Sequence, residues 1–477
     1  MKARNILIFI IIVLVFLGGI SISFPEEGVA LGNRKLYFPT VEDIMSNNTH
    51  STSVFQRLQV IEESIRLQRY QDSLYTDSLS FYAKFFQENP SRIYVPNNDW
   101  NYFNDLFKDL DSCRERQEIV RILHYGDSQI ESDRITGYIR QHLQEKFGGT
   151  GPGLLPAVQP IPSYSVGQSA SENIGRYIIS GMHQNQASHR RYGVLGQFGA
   201  INGESFISVN ARSGKTVYEN VREFQTIRLF VGRDKNFYAR LTFQGKETVK
   251  EIVTGNSSPV KVYTWNLPVP VNKFSLRLSG SAEIYGIAAD GTSGVAVDNI
   301  PFRGSSGTFF SRLDSVVMIP MLKQLNVRLI LLEFGGNTVP VIRNEKAIVS
   351  YCKVLSEQIS YLRKIYPEAK ILMIGVSDMS TKVNGRLSTY LHLESLVEAM
   401  KETALQSGAA FWNMYEVMGG HNSMIEWVRH TPPLAAPDYI HFTAKGTDRI
   451  ADLFCETLMV YYDYYRFVTE NASLNKD

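Results

Sequence analysis

Four short groupings hold the residue types that hydrolytic chemistry needs. In Gly126-Asp127-Ser128-Gln129 a hydroxyl sits at a turn, after the apolar run Ile119–Tyr125 and before residues of helical spacing. In Asp438-Tyr439-Ile440-His441 an imidazole lies three residues from a carboxylate. A serine hydroxyl becomes a useful nucleophile when a base takes its proton, and neutral imidazole does this near neutral pH. A carboxylate on the other ring nitrogen fixes the tautomer and stabilises the imidazolium. The third grouping, Gly335-Gly336-Asn337-Thr338, carries a side-chain amide able to donate to an oxyanion. The fourth, Asn299-Ile300-Pro301-Phe302-Arg303-Gly304-Ser305-Ser306-Gly307, offers the backbone N–H of Gly304, with Gly307 an alternative. Loss of one such donor commonly costs roughly 10²–10³ in rate. Each grouping taken alone also has a plainer account as a capped turn, a structural histidine, a Gly-Asn turn or a loop.

Other residues of chemical type read more simply. Asp127 suits a turn-stabilising carboxylate, and His124 a buried core group in its strand. His183, His189, His421 and His430 form no HExxH or comparable set, so neither a metal nor another cofactor is expected. The stretch Gly148-Gly149-Thr150-Gly151-Pro152-Gly153 lacks the Lys-Ser/Thr of a phosphate loop and reads as a flexible connection. Trp412 and Trp427 fit a core, whereas Trp265 is a candidate sugar-stacking platform. Cys113, Cys352 and Cys455 match no zinc spacing and no disulfide framework, though one bridge stays open; the latter two sit in apolar helical patterns.

The elements that must position these groups follow from periodicity. Ile119–Tyr125 predicts a buried strand, broken by Gly126. Ile135, Ile139, Leu143 and Phe147 then recur at four-residue steps, so a helix follows until Gly148-Gly149. Between Leu155 and Val297 the pattern becomes β-like: Thr226–Val231, Phe237–Phe243, Val260–Trp265, Phe274–Leu278 and Ala282–Ala288 are short runs divided by turn residues. An all-β sandwich or jelly roll is expected there, inserted after the first strand and helix. Strands at Val327–Phe334, Lys370–Val376 and Ala409–Val417 then alternate with helices at Ala347–Ile365 and Leu391–Ser407, and a last helix spans Ala444–Tyr465. Such alternation predicts a parallel sheet covered on both faces, with sites at the strands' carboxyl ends.

The 477 residues exceed one ordinary core. The expected division is a membrane-directing segment over 1–24, a helical region over 40–117, an α/β domain made of 118–154 plus 298–467, and the β-domain over 155–297. Lys2 and Arg4 precede the uncharged run Asn5–Phe24, an export signal long enough to anchor in the inner membrane; Ser21-Ile22-Ser23 alternatively suits cleavage. Either way the rest of the chain lies outside the cytoplasm. Val54, Leu58, Ile61 and Ile65 mark an amphipathic helix, either a stalk or one packed on the catalytic domain. A formal net charge of +2, with lysines and arginines scattered, gives no footprint for nucleic acid.

In order and placement the four groupings resemble the blocks of the SGNH (GDSL) hydrolase superfamily, over about 118–154 and 298–467. The resemblance implies a flavodoxin-like three-layer α/β/α domain. It further implies Ser128 as nucleophile, His441 as base oriented by Asp438, and an oxyanion hole of Ser128, Gly304 and Asn337. The family's third block often reads GxND, whereas Thr338 stands here in place of the acid. The inserted β-region is similar in layout to the peptidoglycan O-acetylesterase branch, as is Phe411-Trp412-Asn413-Met414-Tyr415-Glu416 followed by Met418-Gly419-Gly420. What this implies is an exported carbohydrate acetylesterase acting on an O-acylated polysaccharide, peptidoglycan foremost. The same site would also serve an O-acetyltransferase, and a disabled scaffold would leave a glycan-binding envelope protein.

Overall fold

The computed structural model describes residues 78–474 apart from 182–183, 215–216, 249–257 and 384; before residue 78 it describes only 29–31, 34–36, 54–56, 58–64 and scattered positions between 9 and 19. The predicted membrane-directing run, Ile65 and His183 therefore lie wholly or largely outside the described residues. Among the described residues no helix is long and apolar enough to cross a membrane.

Six strands build the main sheet: β1 (Ile93–Tyr94), β2 (Ile119–Gly126), β3 (Gly294–Pro301), β4 (Val327–Glu333), β5 (Lys370–Ile374) and β6 (Ala410–Trp412). Their spatial order is β3-β2-β4-β5-β6-β1. All neighbours pair in parallel except β1, which joins β6 antiparallel. From β2 to β6 this is the doubly wound order in which the direction of winding reverses between β2 and β4, where such sheets bind ligands. Alternate side chains feed two apolar layers. Leu123, Tyr125, Ile330 and Leu332 face the helices Ser315–Leu325, Glu345–Ile365 and Leu393–Gln406. Ile122, Leu329, Leu331 and Trp412 face the helices Arg134–Phe147 and Ala444–Leu474. Val54, Leu58 and Ile61 are buried in that second layer, as the packed reading of the 41–90 region requires.

The predicted strand Ala409–Val417 is shorter than expected. It ends at Trp412, where the Asn413 side chain accepts from Glu416 N and caps a helical turn over Met414–Val417. Strand β3 was not foreseen as a sheet element: Asp298 and Asn299 interrupt its apolar run, and it places residues 294–297 in the main sheet rather than in the β-rich region. Both polar residues have partners, Arg121 for Asp298 and Thr136 for Asn299.

Among the described residues the β-rich region forms one nine-stranded sheet with a core of its own. The runs predicted at Thr226–Val231 and Phe237–Phe243 are one strand, Phe224–Phe243; those at Phe274–Leu278 and Ala282–Ala288 are one strand, Lys273–Asp290. The two pair antiparallel, with register shifts near Gly232, Lys235 and Tyr238 where polar residues break the alternation. Trp265 is not a surface platform: it is 3% exposed and stacks on Tyr263 at 6.4 Å.

The glycine stretch 148–153 is a built junction rather than a loose tether. Gly148 O accepts from Val295 N (2.8 Å), and Thr150 O accepts from Gly291 N (2.9 Å). Beneath it, fully buried Arg121 binds Asp290 of the long β-strand and Asp298 of β3, and Asp298 also accepts from Leu154 N. The three cysteines are buried and form no disulfide.

Candidate active site

Ser128, His441 and Asp438 meet at the carboxyl end of the sheet. Ser128 Oγ lies 2.9 Å from His441 Nε2, and His441 Nδ1 lies 2.7 Å from Asp438 Oδ2. The second contact follows from the local turn. Tyr439 takes a left-handed φ of 58°, and Asp438 Oδ1 accepts from the N–H groups of both Ile440 and His441 at 3.0 Å. The carboxylate is thus wrapped by its own loop, with its second oxygen left for the ring. Partial burial pushes Asp438 up, but bonds from the His441 ring and from the backbone of His441 and Ile440 outweigh it and hold the carboxyl below its ordinary value.

The serine turn and the histidine loop are tied together on both sides of His441. Gln129 Nε2 donates to Ile440 O at 2.7 Å. The half-buried Arg134 guanidinium donates to Ser128 O and, at 3.4 Å, to Phe442 O. Sequence reasoning missed both residues, because their acceptors are backbone carbonyls distant in the chain. The helix that follows the serine turn begins at Arg134. Ser132 and Asp133, both left-handed, intervene, so the helix dipole does not act directly at the hydroxyl.

No protein-family model matches this sequence, and no curated protein matches it. Solved structures do. One described as a peptidoglycan O-acetylesterase in action aligns with a TM-score of 0.60 at 20% identity, over 76% of this chain and 96% of the other. The chain has the SGNH hydrolase fold. An esterase, EstA, from Pseudoalteromonas sp. shares 12% identity over 35% of this chain and 79% of its own, at a TM-score of 0.26. A family two carbohydrate esterase from Cellvibrio japonicus shares 10% over 63% and 99%, at 0.25, a level that bears no argument about this chain.

The groups expected to donate to an oxyanion differ in what they bind. Among the described residues neither the Ser128 nor the Gly304 N–H has an acceptor. Gly307 is different. Its N–H donates to Ser305 Oγ, its φ is 74°, and a β-carbon there would come 2.7 Å from the Phe334 ring, so it serves the loop's packing. The Asn337 amide is occupied in this state, donating to Asp127 Oδ2 (3.0 Å) and Ser305 O (3.1 Å). To reach an oxyanion it must give up or share one of these. Asp127 thus does more than stabilise a turn: Oδ1 accepts from Gln129 N, and Oδ2 positions the amide. Burial, seconded by the charge of Glu333, pushes the Asp127 carboxyl up to about 7 against the bonds from Gln129 and Asn337. His124 lies buried beneath, between Glu333 (3.1 Å) and Thr136 (3.0 Å), a satisfied core group. His189 pairs with Glu283 and His430 with Pro432 O, both away from this site. Trp412 and Trp427 are core, each ring N–H donating to a backbone carbonyl.

A pocket of about 180 Å³ opens over Ser128 and His441, bounded by Asn337, Pro340, Val376 and Met379. Its size suits a small acyl group rather than a long chain.

Proposed function

We propose that this chain is an exported serine esterase that removes acetyl groups from the hydroxyls of a polysaccharide, peptidoglycan foremost. The observation that carries the reading is the continuous hydrogen-bond chain from Ser128 Oγ through His441 to Asp438 beneath a small pocket. The likeness to a solved peptidoglycan O-acetylesterase supports the reaction class, and the apolar run Asn5–Phe24 supports export.

His441 takes the Ser128 proton as the oxygen attacks the acetyl carbonyl, and Asp438 balances the imidazolium. The oxyanion is held by the N–H groups of Ser128 and Gly304 and by the Asn337 amide. The sugar oxygen departs with the proton from His441, leaving an acetyl-serine. Water, deprotonated by the same imidazole, cleaves that ester and releases acetate. The β-rich region, residues 155–297 in the sequence division, holds the glycan beside the site.

The test is acetate release from a small aryl acetate and from O-acetylated peptidoglycan by the exported portion and its Ser128→Ala variant. Release from both substrates, reduced at least about 10³-fold in the variant, is expected. A Ser128→Ala protein of undiminished activity would sink the mechanism. Gain of acetyl by a glycan, in place of acetate release, would turn the same site into a transferase.

A further inference from the structure

A second and larger cavity, about 810 Å³, lies between the β-rich region and the main sheet. One wall carries Arg176, Ile178 and Gln197; the other carries Ile300, Phe302 and Gly304. It reaches the oxyanion loop, because Ser305, also in its wall, accepts from Asn337 through its carbonyl. A group lodged here is therefore next to the nucleophile's pocket but outside it.

The charges of this cleft do not balance. Among the described residues its ionisable side chains are Glu131, Asp133, Arg140, Arg176 and Arg303. Arg140 is held by Asp133 at 2.7 Å and Arg303 by Glu131 at 3.0 Å. Arg176 has no carboxylate among the described residues. Its Nε and Nη1 instead donate to the side-chain carbonyls of Gln197 (2.8 Å) and Gln184 (2.9 Å). Neutral amides orient the guanidinium without neutralising it. Burial alone depresses its pKa, a cost that an incoming anion would offset. Nearby, the Gln159 side-chain carbonyl is buried in the same wall with no donor, and it would accept from a hydroxyl or amide N–H.

We propose that this cleft is a subsite for a carboxylate-bearing sugar chain, with Arg176 receiving the carboxylate and Gln159 a neighbouring hydroxyl or amide. The subsite rests on the esterase reading for where the ester lies, but not for the anion site itself. Arg176 then sets which polymers are deacetylated, without touching the reacting atoms.

The test is capture of the Ser128→Ala chain by immobilised native glycan strands freed of their stem peptides, whose sugars then carry free lactyl carboxylates, against the same strands with their carboxyls amidated. Adding Arg176→Gln is expected to weaken binding to the native strands about tenfold, as loss of a charged hydrogen bond does. Amidation should weaken the parent by a similar factor and leave Arg176→Gln unaffected, and Arg176→Lys should recover part of the loss. Peptidoglycan with its stem peptides in place, where the lactyl carboxyls are amide-linked and the free carboxylates belong to the peptides, identifies the source: dependence on Arg176 confined to the stripped strands places the carboxylate on the sugar, and dependence confined to the intact polymer places it on the stem and overturns the sugar assignment. With Ser128 intact, the Arg176→Gln rate on aryl acetate should stay within about twofold of the parent, which checks the fold. An unchanged affinity, or equal losses on native and amidated strands, would overturn the subsite. Inactivity of the intact chain on aryl acetate, with this binding pattern present, would remove the esterase reading and leave the subsite standing.

Discussion

Two carboxylates beside Ser128 are driven in opposite directions by their surroundings. Asp438 is held ionised by three hydrogen bonds from its own loop, given by Ile440 N, His441 N and the His441 ring, so acid should not silence the site by protonating it until the pH is below the usual carboxylate range. Replacing it with Asn removes the charge that balances the imidazolium, and kcat on aryl acetate should fall by roughly 10³–10⁴. Asp127 is driven the other way. With a folded value of about 7 against 3.8 unfolded, it binds its proton more tightly in the native state. Its contribution to stability is complete below about pH 4 and is lost as the pH rises to about 7. An Asp127→Asn variant should therefore gain on the parent by about 1.4 kcal/mol for each pH unit across that window and no further above it. Chemical denaturation at several pH values reads the slope, whatever fixed offset the altered contact with Asn337 adds.

At the scale of elements, the site depends on two ties between the serine turn and the histidine loop. Arg134→Met should lower kcat on aryl acetate about 10–100-fold with little change in KM, since the guanidinium bonds the backbone carbonyls of Ser128 and of Phe442, next to His441, and would not meet the substrate. Gly307→Ala should cost roughly 1–3 kcal/mol, because an alanine must take a left-handed backbone against Phe334. The residues of the site that were legible in the sequence are those whose partners are local or whose spacing is a motif: the Asp438–His441 loop is a self-contained turn, and Ser128 follows a clear strand end. Arg134 and Gln129 left no signal, because a long polar side chain on a helix or turn looks the same whether it meets water or a distant carbonyl. Strand β3 was hidden for a related reason, since Asp298 and Asn299 look like loop residues until Arg121 and Thr136 are seen to satisfy them. The long β-rich strands were read as fragments because bulges interrupt the period that marks a strand.

For the whole molecule, the joint between the two sheets is electrostatic as well as covalent. Arg121→Met would leave Asp298 buried without its cation and Asp290 with Arg228 as its remaining one, at a cost of about 3–5 kcal/mol, and thermal melting should show the loss in the main transition rather than in a separate minor one. The same joint bears on how the chain reaches this state. Strand β2 pairs in parallel with β3, yet all nine strands of the β-rich sheet lie between them in sequence. Closing so long a loop without help is slow, because its entropy is lost before any contact repays it. Once the β-rich sheet has formed, its two ends are already paired at Gly153–Ala289 and Leu155–Ile287, and a distant pairing becomes a neighbouring one. The region that would hold the polymer in the finished protein is then also a template that brings the two strands of the main sheet together, and with them the Gly304 loop at the end of β3.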